Sequence, residues 1–276
     1  MDSYKTVLVH VSRDKRCPAR LDLAFTLARQ FEAHVVGLHA IAFTPIPSYA
    51  LAESGAAVEA AYRAGHERNR DEAKALFEAA AKRSGDTRRE WRWSAEDALE
   101  AVSMHARYAD LVVIGQTQPD SESGVAPEFP AQLVLRSGRP ILVVPYAGKF
   151  ERVGKRVLIA WDAGREATRA LTDALPLLQR AESVQVASFN PEQRPAGVPG
   201  ADIGLYLARH GVKVEVAQQT ARDLDIGNQL LSRTADHGAD LIVMGAYGHS
   251  RLQEMVLGGV TRTVLESMTV PVLMAH

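Results

Sequence analysis

The chain reads as α/β, built from two tandem copies of one strand–helix unit with five strands each, and three observations give that reading. The first is an internal repeat. YADLVVIG at Tyr108–Gly115 echoes GADLIVMG at Gly238–Gly245, RPILVVPY at Arg139–Tyr146 echoes VPVLMAH at Val270–His276, and TVLVHVS at Thr6–Ser12 echoes RVLIAWD at Arg156–Asp162. The second is that these runs are short and continuously apolar and alternate with helix-like segments, the pattern of a parallel sheet covered on both faces. The third is a set of glycines placed just past the fourth strand of the second copy, at Gly245, Gly248, Gly258 and Gly259. Each copy has the length of an ordinary domain, so 276 residues hold a tandem pair rather than a solenoid of shorter repeats. The expected units are residues 1–147 and 154–276, joined by a short polar linker.

Elements can be placed in order. In the first unit Thr6–Ser12 reads as a strand, Pro18–Phe31 as a helix with proline in its first turn, and His34–Ile41 as a second strand. Ser48–Arg83 is rich in alanine, glutamate and arginine and predicts one long helix, broken near Gly55. Arg88–Trp93 is the third strand, with Trp91 and Trp93 as packing residues, and SAED at Ser94–Asp97 predicts a capping box opening the next helix. Leu111–Gly115 and Ile141–Pro145 complete the sheet. In the second unit the strands are Val157–Trp161, Val184–Phe189, Val212–Gln218, Leu241–Gly245 and Val270–Met274. A helix runs from about Arg165 to Arg180, with Pro176 expected to kink or end it. NPEQRPAGVPG replaces most of the long helix, leaving a short helical stretch to about His210, and helices follow at Ile226–His237 and Val260–Met268.

The segment LIVMGAYGHSRLQEMVLGGVTRTVL carries the chemistry. Glycines past the carboxyl end of a buried strand allow positive φ and close backbone approach, and the amino terminus of the following helix exposes unpaired N–H groups suited to an anion such as phosphate. The segment resembles the nucleotide-binding signature of the universal stress protein family, in which G-x2-G is followed nine residues later by glycine and then serine or threonine. Gly245, Gly248 and Gly258 match; the hydroxyl position holds Gly259, and the nearest hydroxyl is Thr261. The resemblance extends over both units. It implies a five-stranded parallel, Rossmann-like unit of the adenine nucleotide alpha hydrolase type, with two units paired through their last strands as a pseudo-dimer.

It further implies that ATP, ADP or AMP, accompanied by magnesium, binds the second unit. Asp162, at the end of its first strand, would meet the adenine and ribose side, and Phe189, at the end of its second, stands where the family has a small aliphatic residue and would either stack on the base or block its place. Phosphates would meet the Gly245–Gly248 loop and the helix start at Gly258, Gly259 and Thr261, with His249 and Arg251 as charged neighbours. Asp162 and Thr261 also suit helix capping, and His249 and Arg251 suit an exposed loop. The first unit differs at each matching position. Ser12 stands for the aspartate, Gln118 for the second glycine, and Glu128 with Phe129 for the glycine pair, so a carboxylate and a bulky ring occupy the place of phosphate and that site reads as degenerate.

Other candidates carry less. Cys17 follows Lys15 and Arg16, which would lower its pKa, but the sequence places no partner for it and no redox role is expected. His10 and His39 end neighbouring strands without acids or cysteines at metal-ligand spacing, so satisfied interior histidines are expected and no metal ligand is assigned.

A net charge of −1 with interspersed signs leaves no electrostatic footprint for nucleic acid or an anionic membrane. MDSYKTVLVHV lacks a cationic stretch leading into a long apolar run, giving a cytoplasmic expectation. Nucleotide loops of the P-loop type, nucleophile elbows and HExxH helices are absent from the sequence, so the expected role is stress response by binding and signalling rather than catalysis. The alternatives are a protein-interaction scaffold that needs no nucleotide and a slow ATP hydrolase. The strands PILVVP and VPVLMA are expected to satisfy each other's edges within the chain, and the alanine-rich surface from Ala56 to Ala81 offers a route to a homodimer.

Overall fold

The computed structural model describes residues 3–41, 48–86, 88–117, 124–189, 201–219, 226–248 and 259–276. The first unit comprises β1 (Thr6–His10), α1 (Cys17–Phe31), β2 (His34–Ile41), α2 (Ser48–Ser84), β3 (Arg89–Asp97), α3 (Ala98–Ala106), β4 (Leu111–Gly115), α4 (Phe129–Ser137) and β5 (Ile141–Val144). The second comprises β6 (Arg156–Ala160), α5 (Arg165–Leu178), β7 (Ser183–Phe189), α6 (Ala201–Arg209), β8 (Val214–Gln219), α7 (Ile226–His237), β9 (Leu241–Gly245), α8 (Val260–Ser267) and β10 (Val272–Ala275).

All ten strands form one sheet in the order β3-β2-β1-β4-β5-β10-β9-β6-β7-β8. Among the described residues, pairing is parallel inside each unit and antiparallel only where β5 meets β10, with Leu142 opposite Leu273. The order reads the same from either end once the units are exchanged, so the two units are related by a pseudo-twofold at that junction. Joining the fifth strands removes the edge each would otherwise present.

Alternation along the strands divides the core in two. Val7, Val9, Leu111, Val113, Leu241 and Val243 pack with α1, α2, α5 and α6, whereas Leu8, Val112, Ile114, Ile242 and Met244 pack with α3, α4, α7 and α8. A strand buried on both faces needs apolar residues at every position, which is why these runs were continuous in the sequence. The units also meet through side chains: the fully buried Tyr4 hydroxyl donates to the Asp173 carbonyl on α5 at 2.7 Å, and the Arg180 guanidinium lies 4.6 Å from the Phe31 ring centre.

Local corrections have physical causes. β3 continues past Trp93 to Asp97 because it stays paired with β2 as far as Ile41, through a register irregularity at Ala40 and Ile41. The capping box is therefore absent: Asp97 Oδ1 accepts the Leu99 N–H and caps α3, while Ser94 Oγ accepts the Glu96 N–H within the strand end. α2 runs unbroken through Gly55 and Gly65, as the surrounding helix formers outweigh about 1 kcal/mol per glycine. Pro176 lies inside α5, which ends two residues later, so its missing N–H falls in the last turn. Trp91 packs on Phe77 of α2, whereas Trp93 is 51% exposed, with the Arg70 guanidinium over its ring.

Candidate functional site

In each half the strand order reverses between the first and fourth strands of the unit, and ligands of open α/β sheets bind beyond the carboxyl ends of strands at such points. In the second unit the reversal lies between β6 and β9. After β6, Asp162 turns the chain: its Oδ1 accepts the Gly164 N–H at 2.8 Å, Ala163 is left-handed at φ 62°, and Gly164 stands at the amino end of α5. Asp162 therefore shapes the turn that leads into the helix, although Gly164 is the N-cap residue.

After β9 the two glycines have different duties. A Cβ on Gly245 would lie 2.4 Å from the Ala167 backbone nitrogen and 2.6 Å from the Glu166 carbonyl carbon, so Gly245 allows the first turn of α5 to sit directly on the strand end. A Cβ on Gly248 would stand 3.0 Å from Glu166 Oε2 and 3.7 Å from Asp162 Oδ2. Two carboxylates thus flank Gly248, and Glu166, only 7% exposed, is a site residue the sequence reading missed. Its signal was available, since it adjoins the apolar positions Ala167, Ala170 and Leu171 on α5. Positive φ was expected of the glycines; among the described residues of this loop it is Tyr247, at φ 59°, that is left-handed. At Gly245 close backbone approach, not backbone conformation, is what requires glycine.

The loop is tied to α8. Tyr247 N–H donates to Thr261 Oγ at 3.3 Å, and Thr261 is 2% exposed, so its hydroxyl holds the loop against the helix. Gly259 is the N-cap of α8 and has no side chain with which to cap the first turn. Phe189 is half-buried and packs with the α7 and α8 face of the core. The structure therefore gathers Asp162, Gly245, Gly248, Gly259, Thr261 and Phe189 at one end of the sheet. His249, Arg251 and Gly258 lie outside the described residues.

At the corresponding switch point in the first unit, between β1 and β4, buried side chains pack against the end of β4 at Gly115, the counterpart of Gly245. A Cβ on Gly115 would lie 2.3 Å from Arg20 Nη1. Arg20, 2% exposed, donates from Nε to the His10 carbonyl at 3.0 Å and from Nη2 to Ser12 Oγ at 2.6 Å and Asp14 Oδ2 at 3.1 Å. Burial pushes the Asp14 carboxyl up, but Arg20 and the hydrogen bonds from Ser12, Arg20 and the Arg16 N–H outweigh it and hold it below the usual range. The buried Phe129 ring lies 5.3 Å from the His10 ring, centre to centre, while Glu128 is exposed at the start of α4. Gln118 lies outside the described residues. Cys17 is fully buried and its thiol is pushed up by burial, opposite to the expectation from its cationic neighbours. His10 is pushed down to about 3, chiefly by burial and then by Arg20 and His39; His39 is also lowered by burial and donates from Nδ1 to the Val11 carbonyl at 2.8 Å. Among the described residues no group of three or more His, Cys, Asp or Glu side chains could hold a metal ion.

Comparison with known proteins decides the family. The model of the universal stress protein family matches residues 3–145 and again residues 154–276. The chain belongs to the universal stress protein family. A curated universal stress protein from Synechocystis, Slr1230, is 31% identical over 150 residues, and the match takes in 51% of this chain and 48% of that protein, so the chain spans about half the length of this relative. The crystal structure of a universal stress protein from Archaeoglobus fulgidus shares the tandem fold: TM-score 0.69 at 16% identity, covering 98% of this chain and 95% of that one. A universal stress protein solved in complex with cAMP matches 51% of this chain and 96% of its own, at 24% identity and TM-score 0.34. Among the described residues no helix of this universal stress protein is long and apolar enough to cross a membrane.

Proposed function

We propose that the second unit binds ATP or a related adenine nucleotide, that the first unit does not, and that the protein acts in stress response by binding and signalling rather than by catalysis. The observation that carries this reading is the difference between the two clefts. Past β9 the chain presents Gly248 and the amino end of α8 at Gly259, where backbone N–H groups favour an anion. Past β4 the buried Arg20 guanidinium lies against Gly115, the counterpart of Gly245, and at the start of α4, the counterpart of the α8 start, Phe129 packs on His10 with Glu128 exposed beside it.

The carboxylates of Asp162 and Glu166 beside Gly248 oppose a bare polyphosphate and suit a nucleotide carried with magnesium. Magnesium is typically held by one or two carboxylates together with substrate phosphates, and this pair is the donor set that fits it. Bound there, the ion would neutralise phosphate charge. Asp162 would hold the turn into α5, and Thr261 would keep the Tyr247 peptide against α8. Adenine would rest toward Phe189.

Thermal unfolding with ATP, ADP and AMP, each with and without magnesium, tests this. Stabilisation that saturates and grows with magnesium supports the reading. The same carboxylate pair favours the scaffold reading if no nucleotide at millimolar concentration moves the transition.

A further inference from the structure

The two units are joined by a side-chain bridge that the pseudo-symmetry does not repeat. Gln116 follows β4 directly and Ala246 follows β9 directly. Their backbones are equivalent: Gln116 N–H donates to the Val144 carbonyl at 2.8 Å, and Ala246 N–H donates to the Ala275 carbonyl at 3.0 Å. Their side chains are not. Gln116 Nε2 crosses to the second unit and donates to the carbonyls of Leu265 at 2.8 Å and Glu266 at 3.2 Å, in the last turn of α8. Its Oε1 accepts the Tyr146 N–H at 3.1 Å, just past β5. Alanine at position 246 has no group to offer α4 in return.

The last carbonyls of a helix lack intrahelical partners, so one amide from the first unit caps the far end of α8. The near end of α8 is Gly259, tied to the β9 loop through Thr261 and Tyr247. Eight residues of helix span about 12 Å and move as a rigid rod. A shift of the helix start toward a bound anion must therefore be met at Gln116 and passed to the Tyr146 amide.

We propose that Gln116 is a positioning residue that couples the phosphate-facing helix of the second unit to the first unit, so that occupancy at Gly259 is read out at the Gln116 and Tyr146 peptides. This coupling presupposes the nucleotide reading above. It gives the closed first unit a task, as the reporter of its neighbour's ligand.

Amide hydrogen exchange on the full chain, with and without magnesium ATP, tests the coupling alongside calorimetry. In the wild type, nucleotide is expected to slow exchange in α8 and also at Gln116 and Tyr146. Gln116→Met keeps the length and loses both hydrogen-bonding groups; it should keep slowed exchange in α8, lose it in the first unit, and bind ATP at least about fivefold more weakly. Gln116→Glu sets an acceptor against two carbonyls and should weaken binding further. Each variant is checked by its melting temperature. Slowed exchange confined to α8 in the wild type, or an unchanged first-unit response in a folded Gln116→Met, overturns the coupling. No calorimetric heat and no change in α8 in the wild type overturns the nucleotide reading, and the coupling with it.

Discussion

At the scale of single residues, the charged groups around the two switch points set the chemistry. Glu166, ion-paired through Oε1 with Arg165 at 3.2 Å, lies beside Gly248 with Asp162 close by, so two carboxylates and one exposed guanidinium stand near the proposed phosphate position. Glu166→Gln removes one of the carboxylates, and Coulomb repulsion across a few ångströms is large in a half-buried cleft. The variant should bind magnesium-free ATP more tightly than the wild type and gain less from magnesium, as read by titration in EDTA and in magnesium buffer. Equal magnesium dependence in both proteins would remove Glu166 from the site. In the first unit, removing Arg20 leaves Asp14, with 15% of its side chain exposed, without its cationic partner. Arg20→Met is expected to cost about 3 kcal/mol in urea unfolding, and adding Asp14→Ala should recover part of it.

His10 makes the first unit sensitive to acid. Its folded pKa, about 3, is below its ordinary 6.5, so the unfolded chain takes up this proton first as pH falls. The stability tied to neutral His10 is fully present above about pH 6.5 and is lost progressively toward pH 3. Asp14, also held low, loses its contribution only below the ordinary carboxylate range. His10→Asn should flatten the dependence of unfolding free energy on pH between 6.5 and 3. An unchanged slope would assign that acid sensitivity to other groups. Asp162 and the glycines were legible at this scale because strand ends and glycine spacing leave marks in sequence. Arg20 and Glu166 were passed over, because a charged residue on a helix reads as solvent-facing. Only its place on the inner face, three residues after Cys17 and four before Ala24 in the case of Arg20, tells otherwise.

At the scale of elements, the apolar runs set strand positions well: β4, β9 and α7 fall where the sequence puts them. The misses follow from competition between local and tertiary signals. Ser94 has the chemistry of a cap, but pairing with β2 holds it in β3 and passes the cap to Asp97. The loop after β9 depends on Gly248. Gly248→Val places a branched side chain against Glu166 Oε2 and over the cleft. Because the position is exposed, the fold should survive with a melting temperature within a few degrees, while ATP affinity falls by at least about tenfold. Full affinity in the folded variant would place the nucleotide elsewhere.

At the scale of the whole molecule, the ten-stranded sheet rests on the β5–β10 junction, which the family resemblance implied and the apolar fifth strands agreed with. The one-way Gln116 bridge was not legible, because nothing in a sequence says which of two equivalent positions reaches across a junction. Expressed alone, residues 154–276 expose the β10 edge and should pair with a second copy, seen as a dimer by light scattering; a stable monomer would show that the junction is not needed to cover that edge. The asymmetry of the clefts is a statement about number. Isothermal titration of the intact chain with magnesium ATP measures it directly: one site per chain is expected, absent in Gly248→Val, whereas two sites per chain, or no saturable heat at all, would contradict a single competent cleft.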